Sequence, residues 1–150
     1  MKIANFVNRN VRACAIHDNL EHAAQLMWDH DIGYLPVTDD QGRVAGIITD
    51  RDICMAAYTQ GAALRDISVT TAMAKTVLSC GLADDVESIE RVMSKNQIRR
   101  MPVVDDRGHP VGIISLNDLA RAASAGKVPP AEIATILAAV TAPRKLSATA

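Results

Sequence analysis

The chain has 150 residues, 49% of them hydrophobic and 22% charged, and its 16 basic and 17 acidic side chains leave a formal net charge of −1. This composition is typical of one globular domain or two very small ones, and a chain of this length builds a core without disulfides or a structural metal. The near-neutral charge argues against non-specific electrostatic binding of nucleic acid. The apolar runs are far shorter than the ~20 residues that a membrane span needs.

The N-terminal residues favour a cytoplasmic protein. Residues 1–5 turn polar too soon to form the apolar region of a signal peptide. The sequence therefore predicts a cytoplasmic location and no segment that crosses a membrane.

An internal repeat organises the chain. A shift of 66 positions aligns residues 14–53 with 80–119 without a gap, and fourteen of these forty pairs are identical, where ordinary residue usage gives about two or three. Each copy is too short to bury its apolar faces alone, so the two are expected to pack as one pseudo-symmetric unit. The predicted ranges are 1–62 for the first repeat, 63–125 for the second, and 126–150 for a C-terminal helix and tail.

Each repeat begins with a predicted strand, at 13–16 and 79–82, and continues into a helix. Asp18 and Asp84 each stand three residues before a Glu. This spacing is a variant of the capping box, so both helices are predicted to start there.

A β-hairpin follows the first helix of each repeat. Strands are predicted at 34–37, 44–48, 101–104 and 111–114, with turns at 39–42 and 105–108. Because proline cannot donate to a sheet ladder, Pro36 and Pro102 are expected at a strand start or on a sheet edge. The paired aspartates of both turns are expected to bond the turn backbone rather than a metal.

A second helix opens at Thr49 in the first repeat and at Ser115 in the second. The order is therefore β-α-β-β-α twice, an α+β fold whose two repeats pack through their sheets. A short helix is predicted within 66–77, and the two prolines at 129–130 introduce a last helix. Its apolar face docks either on its own core or on a second subunit, and residues 142–150 are predicted to form a disordered tail.

The sequence carries no recognisable catalytic or metal-binding motif. It has no GxSxG, HExxH, GxxxxGK[ST] or GxGxxG pattern, and its three cysteines form no CxxC pair. Cys14, Cys54 and Cys80 are predicted to be buried hydrophobic residues. We therefore expect a protein that is not an enzyme and that requires no metal or cofactor.

The residues after each hairpin carry a more informative pattern. Thr49 with Asp52, and Ser115 with Asp118, fit the [ST]-x-x-[DE] pattern that caps a helix, and capping alone explains both. The same geometry presents a hydroxyl group and free backbone N–H groups to a phosphate, and a carboxylate to a ribose diol. Both roles can hold together.

The two copies differ inside this pattern. Arg51 lies in the first turn of its helix, where a cation opposes the helix dipole and indicates an anion nearby. The equivalent residue of the second copy is the neutral Asn117. The two sites are therefore expected to differ in their preference for phosphate.

These features together resemble a tandem pair of cystathionine β-synthase (CBS) domains, also called a Bateman module. The resemblance covers residues 10–123 and rests on three features: the element order, a duplicated Gly-h-h-[Ser/Thr]-x-x-Asp, and a duplicated h-Pro-Val-x-Asp, where h is hydrophobic. It implies a regulatory fold with two related clefts that bind adenosine nucleotides or other adenosyl ligands. It also implies a homodimer.

The resemblance further implies roles for individual residues. The motif Asp would bind ribose, the motif Ser or Thr would bind phosphate, and the segment around the motif proline would line the adenine. A hydroxyl residue before the first strand would also face the ligand, a position that Ser79 fills and Ala13 does not. The candidate ligand-binding residues are Thr49, Arg51, Asp52, Ser115, Asn117, Asp118, Tyr34, Leu35, Pro36, Ser79, Arg100, Met101 and Pro102.

The sequence thus predicts a stand-alone CBS pair that binds AMP, ADP, ATP or a related adenosyl ligand in one or both clefts. Occupancy would be signalled to an unknown target protein by a shift in conformational populations. The alternative is an interaction module that binds no nucleotide, in which helix capping is the whole role of the duplicated motif. A third hypothesis, nucleic-acid binding through Arg99 and Arg100, is disfavoured by the charge balance and the few aromatic residues.

Overall fold

Residues 1–144, the part of the chain that the computed structural model describes, form six α-helices and five β-strands. The helices are α1 (Leu20–Asp29), α2 (Asp50–Gln60), α3 (Val69–Ala72), α4 (Val86–Asn96), α5 (Leu116–Ser124) and α6 (Pro130–Thr141). The strands are β1 (Cys14–Ala15), β2 (Tyr34–Thr38), β3 (Val44–Thr49), β4 (Arg100–Val104) and β5 (Pro110–Ser115). No helix in this range is long and apolar enough to cross a membrane. Residues 145–150 of the predicted tail lie outside the described residues.

The α+β fold with two pseudo-symmetric repeats is confirmed. In the first repeat β2 is the central strand, parallel to β1 and antiparallel to β3, and in the second repeat β4 pairs antiparallel with β5. The repeats meet at their hairpins, where the Val44 N–H donates to the Gly108 carbonyl at 3.0 Å. The Nε2 atom of His109 also lies 2.9 Å from the Gln41 carbonyl oxygen.

The predicted strand at 79–82 is wrong. Only Cys80 pairs there, through a single parallel bridge to Val103. Gly81 stands where the first repeat has Ala15, and glycine disfavours strand conformation. The second repeat therefore keeps the position of its first strand but not its length.

The predicted caps of the first helix in each repeat are also wrong. The N-cap of α1 is Asn19, whose side chain accepts the His22 N–H at 3.0 Å. Asp18 and Asp84 instead accept, at 2.7 and 2.9 Å, the N–H of the residue three positions earlier. These two carboxylates stabilise the turn that leads into each helix, because a short acidic side chain finds a backbone donor more readily inside a turn.

Both hairpins form as predicted. The edge prediction is wrong for Pro36, because β2 is the central strand of its sheet, whereas Pro102 does lie on an edge strand, β4 of the two-stranded sheet. Pro36 and Pro102 lie third in five-residue strands and are buried. Pro36 faces Ile47, whose backbone N–H and carbonyl bond Ala74 on the far side of β3. Because the backbone of Ile47 is already hydrogen-bonded to Ala74, it does not need the N–H group that Pro36 lacks. In the second repeat Pro102 faces Ile113, whose backbone bonds Asn8 in the same way.

The segment that precedes each repeat packs on the other repeat. Ile3 is fully buried in the core of the second repeat, and Asn8 pairs with Ile113 of β5. In the opposite direction, Ile67 and Val69 belong to the core of the first repeat. Each hydrophobic core therefore includes residues from the range that was assigned to the other repeat. The domain boundaries drawn from the sequence stay a prediction.

These crossing segments explain the motif glycines. A Cβ atom at Gly46 would lie 2.5 Å from the Met73 sulfur and 3.0 Å from the Ala74 carbonyl oxygen. Gly112 is crowded in the same way by residues 7–8. Glycine is therefore required at both positions by a close backbone approach, independently of any ligand.

The last helix docks on its own chain, which confirms one of its two predicted roles. Ile136 and Val140 are buried in the core that α4 and α5 also form. The Gln97 amide donates to the carbonyl oxygens of Ala139 at 3.3 Å and Ala142 at 2.9 Å, which satisfies the C-terminal end of α6. The predicted subunit contact stays a prediction.

Glu90 of α4 is a buried carboxylate near α6, and we expect its replacement by glutamine to stabilise the protein. Its Oε1 atom has no hydrogen-bond partner within residues 1–144. Burial raises the pKa of Glu90, and the charges of Glu132 and Glu87 raise it further. Glu90→Gln removes this uncompensated charge, so the free energy of unfolding at pH 7 should rise by about 1 kcal/mol.

The pH dependence of unfolding checks the cause. Because the pKa of Glu90 is higher in the folded state, that state binds more protons, and the wild-type protein loses stability as the pH rises through the folded pKa. Urea denaturation at pH 5 and pH 7 should show this contribution in the wild type and not in Glu90→Gln. The control is Glu21→Gln, which removes an exposed carboxylate from α1 of the first repeat and should keep the pH dependence of the wild type. A Glu90→Gln variant less stable than wild type at pH 7 would contradict the prediction.

Candidate functional site

Each repeat brings the motif hydroxyl beside the first residue of its central hairpin strand. In the antiparallel register Tyr34 pairs with Thr49, and Arg100 pairs with Ser115. Facing residues of such a pair have Cβ atoms about 5 Å apart. The predicted adenine-lining segment and the predicted phosphate-binding hydroxyl are therefore neighbours in both repeats.

Both capping boxes of the duplicated motif are confirmed. Asp52 Oδ2 accepts the Thr49 N–H at 2.9 Å and the Thr49 hydroxyl at 2.8 Å, while Thr49 Oγ1 accepts the Asp52 N–H at 3.2 Å. Ser115 and Asp118 repeat this geometry at the start of α5. Capping occupies one oxygen atom of each carboxylate and leaves the other for a different partner.

The second carboxylate oxygen distinguishes the two repeats. Asp118 Oδ1 accepts a hydrogen bond from the guanidinium of Arg121. The equivalent of Arg121 in the first repeat is Met55, and Asp52 Oδ1 has no hydrogen-bond partner within residues 1–144. Sequence reasoning missed Arg121, although its position three residues after Asp118 on a helix is a signal for such a pair.

The start of α2 is more fully occupied than the sequence predicts. The N–H groups of Asp50, Arg51 and Asp52 donate to the Gly33 carbonyl, the Asp50 carboxylate and the Thr49 hydroxyl. The free N–H groups predicted for a phosphate are therefore absent from these three residues, because capping and the preceding loop take them all.

Arg51 and Asn117 are both exposed at the helix starts. No carboxylate of residues 1–144 lies within ion-pair distance of the Arg51 guanidinium. Arg51 is thus an unpaired cation in the first turn of α2, and it can meet an anion there without breaking an existing ion pair.

A pocket of about 220 Å³ opens beside Asp118. It is lined by Arg121 and Lys127 and by Asn5 and Phe6 of the N-terminal segment. Sequence reasoning missed Asn5, Phe6 and Lys127, because only the tertiary structure brings the N-terminus to the second repeat. The volume is below the roughly 300 Å³ at which small-molecule pockets begin, so a nucleotide-sized ligand would extend beyond it.

Tyr34 of the first repeat and Arg100 of the second influence each other through charge. Tyr34 is 6% exposed, and its burial raises the pKa of the hydroxyl group. The charge of Arg100 acts on the same hydroxyl and lowers its pKa, while Cys80 raises it. The starts of β2 and β4 are therefore close enough to interact electrostatically, with the exposed Ser79 directly before Cys80.

The remaining predicted residues lie deeper. Leu35 and Met101 are 0% and 1% exposed, and their side chains belong to the cores of the first and second repeats. Pro36 and Pro102 are also buried. A ligand can meet Leu35 and Met101 through their backbone only, because core packing occupies both side chains.

The cysteines differ in exposure, which yields a direct test of the packing. Burial raises the pKa of Cys14 and of Cys80 to about 12. Cys54 is exposed on the outer surface of α2, so the prediction that it is buried is wrong. Ellman's reagent at pH 8 should modify one thiol of the native protein and three after denaturation. Cys54→Ser should leave no rapidly reacting thiol, and rapid modification of two or three native thiols would contradict this assignment.

The first aspartate of each turn acts as predicted, whereas Asp40 lies 2.7 Å from His17 Nε2 instead of bonding the turn backbone. Asp39 Oδ1 accepts the N–H groups of Gln41 and Arg43, each at 2.9 Å, and these backbone bonds hold the pKa of Asp39 below its usual range. Asp105 does the same in the second hairpin. Within residues 1–144 no group of three or more His, Cys, Asp or Glu side chains is placed to hold a metal ion.

Comparison with known sequences decides the family. The family model of the CBS domain matches the chain twice, at residues 3–58 and 64–125. The chain belongs to the CBS domain family. It is 33% identical over 120 residues to CBS domain-containing protein YhcV of Bacillus subtilis, a match that covers 79% of this chain and 82% of YhcV. It is 31% identical over 117 residues to Hypoxic response protein 1 of Mycobacterium tuberculosis, covering 78% and 81% of the two chains.

Solved structures show the same tandem CBS fold. The CBS domain pair of protein MJ0100, in complex with 5′-methylthioadenosine and S-adenosyl-L-methionine, superposes with a TM-score of 0.73 at 26% identity, covering 81% of this chain and 98% of that one. The CBS protein TA0289 of Thermoplasma acidophilum gives a TM-score of 0.78 at 26% identity, covering 93% and 75%. The duplicated motif of this chain therefore lies in a CBS pair.

Proposed function

We propose that this CBS pair is a regulatory module that binds an adenosyl ligand, most tightly at the first-repeat cluster of Tyr34, Thr49 and Asp52. The observation that carries the proposal is the unpaired Oδ1 atom of Asp52. The capping box holds Asp52 rigidly through Oδ2, so Oδ1 is a positioned anionic acceptor. The hydroxyl groups of a ribose diol are donors that match it.

The second-repeat site binds the same chemistry more weakly in this proposal. Its carboxylate, Asp118, must first release Arg121, whose side chain is 72% exposed. The Asp118 side chain is only 10% exposed, so this pair is not a fully solvated one, and opening it lowers the affinity of the second-repeat site. Lys127 and Arg121 line the adjoining pocket.

In this proposal the site recognises the adenosyl group of the ligand more than its phosphates. The N–H groups at the start of α2 already have acceptors, which leaves Arg51 as the main phosphate partner. MJ0100, a structural relative, was solved with 5′-methylthioadenosine and S-adenosyl-L-methionine, and neither ligand requires a phosphate site. AMP, ADP and ATP fit if Arg51 contacts the phosphate.

Regulation would follow from occupancy, without a catalysed reaction. A ligand that favours one relative arrangement of the two repeats shifts the population toward it by its differential affinity. The altered surface would then be recognised by a target protein, with the module acting as a homodimer. The cytoplasmic location stays a prediction.

A thermal-shift titration of the full chain tests the proposal. The ligands are AMP, ADP, ATP, NAD, S-adenosylmethionine and 5′-methylthioadenosine. A ligand at 100 times its Kd stabilises the protein by about 2.7 kcal/mol, which raises the Tm of a chain of this size by roughly 5 to 10 °C. Adenine-free ribose 5-phosphate is the control and should give no shift.

The second candidate function is an interaction module that binds no nucleotide. It is favoured by the completeness of the capping boxes, which already explain the motif residues structurally. In that case none of the adenosyl ligands changes the Tm at any concentration. That result would overturn the proposed function.

A further inference from the structure

Two surfaces of residues 1–144 expose large hydrophobic side chains beside an apolar helix face or groove. The first surface is a groove between α1 and α2, lined by Met27, Trp28 and Ile53. We call it the α1–α2 groove. Trp28 is 87% exposed. An aromatic side chain this exposed indicates an interaction surface when it borders an apolar groove.

The second surface is the outer face of α6. Leu137 is 48% exposed there, and Ala134, Ala138 and Thr141 are exposed beside it. These four residues, which we call the α6 ridge, follow the i, i+3, i+4, i+7 spacing of one helix face. The ridge carries no charge, although it faces away from the core that the other side of α6 covers.

The second repeat shows what a groove of this kind accepts. Met93 and Leu119, the equivalents of Met27 and Ile53, are buried in one core with Ile136 of α6. A helix therefore fills the groove between α4 and α5. The matching groove of the first repeat has no helix of residues 1–144 over it and stays open.

The two grooves also differ in sequence, and the open groove of the first repeat carries the more apolar residues. The uncovered groove is the more apolar one at two equivalent positions, where a solvated surface normally carries polar residues. Ala24 and Trp28 line it, where the second repeat has Glu90 and Ser94. The α1–α2 face is therefore built to be covered.

We infer that the α6 ridge of a second copy of this chain fills the α1–α2 groove. The chain carries both an unfilled groove and an unpartnered apolar helix face, and a twofold dimer forms both contacts at once. The ridge spans residues 134–141 and is about 12 Å long. The twofold dimer contains two such helix-in-groove contacts. The inference specifies the surface of the homodimer proposed above.

Charge favours this arrangement over contact between two grooves. Asp31 and Asp50 line the α1–α2 groove. A dimer of groove against groove would bring these carboxylates toward their counterparts, and like charges at an interface cost several kcal/mol. The α6 ridge is neutral and does not incur this cost.

Replacement of Trp28 by the serine of the second repeat tests the groove. Trp28→Ser should raise the dimer Kd at least 100-fold, as measured by analytical ultracentrifugation of the full chain. Leu137→Lys should do the same from the ridge side. Lys75→Ser, an exposed substitution away from both surfaces, is the control and should leave the Kd unchanged.

A mixing experiment separates the two possible contacts. Trp28→Ser keeps an intact ridge, and Leu137→Lys keeps an intact groove, so their mixture should form heterodimers with one of two contacts restored. Disruption by the groove variant but not by Leu137→Lys would overturn the role of the ridge. A wild-type protein that is monomeric at 100 µM would overturn the dimer itself.

An engineered disulfide supplies the position of the contact. Cys54 is exposed and follows Ile53 of the groove, so Ala138→Cys should form an interchain disulfide with it under mild oxidation. The double variant with Cys54→Ser is the control and should not. A disulfide-linked dimer of Ala138→Cys that forms without Cys54 would contradict the arrangement. These outcomes are independent of ligand binding, which the thermal-shift titration reports.

Discussion

Ile3→Ala is expected to lower the free energy of unfolding by about 3 kcal/mol, although residue 3 lies next to the N-terminus. Ile3 is fully buried in the core of the second repeat. Its N–H donates to the Asp84 carbonyl at 2.9 Å, and the Val86 N–H donates to Met1 at 2.8 Å. The truncation therefore leaves a cavity in a core that the surrounding backbone holds in place. Urea denaturation followed by circular dichroism measures the change.

The neighbouring Lys2 is the matched control. Its ammonium group pairs with Asp85 at 3.2 Å on the exposed surface. Lys2→Ala should cost less than about 1 kcal/mol, because exposed ion pairs contribute little. Hydrogen exchange of Ile3→Ala should show faster opening of α4 and β4 than of α1 and β2. Equal stability of Ile3→Ala and wild type would mean that residues 1–8 do not pack on the second repeat in solution.

Asp52→Asn is expected to weaken the binding of AMP or S-adenosylmethionine about 10- to 100-fold. The amide oxygen of Asn can still accept the Thr49 N–H that Asp52 accepts now, so the start of α2 should remain capped. What is lost is the anionic acceptor at Oδ1, and a hydrogen bond to a charged group contributes about 1.5 to 3 kcal/mol. Isothermal titration calorimetry measures the change, with thermal unfolding as the check on folding.

Two further variants show whether the carboxylate acts on the ligand or on the fold. Asp118→Asn should change the same affinity less than about 3-fold, because Arg121 already occupies its second oxygen. Asp50→Asn removes an adjacent exposed charge outside the capping box and should leave the affinity unchanged. An Asp52→Asn variant that binds as tightly as wild type would reject the first-repeat site, and a larger effect at Asp118 would reverse the order of the two sites.

Local features of this chain were predictable because they depend on residues that are close in sequence. The capping boxes at Thr49 and Ser115 need a hydroxyl and a carboxylate three residues apart, and both formed. The hairpins and the second helix of each repeat follow from alternation and helical spacing. Local patterns were wrong where two neighbouring residues compete for one role, as when Asn19 rather than Asp18 caps α1.

The internal repeat, the element order and the duplicated motif were readable from the sequence alone, and with them the α+β fold and the identity of the motif residues. The tertiary structure alone decided that Ile3 belongs to the second core and that the groove of the first repeat lacks the helix that covers the second. It also decided that Phe6 joins Asp118 at one pocket. The physical reason is range: hydrophobic burial is non-directional, so periodicity shows which face is buried but not which distant segment covers it.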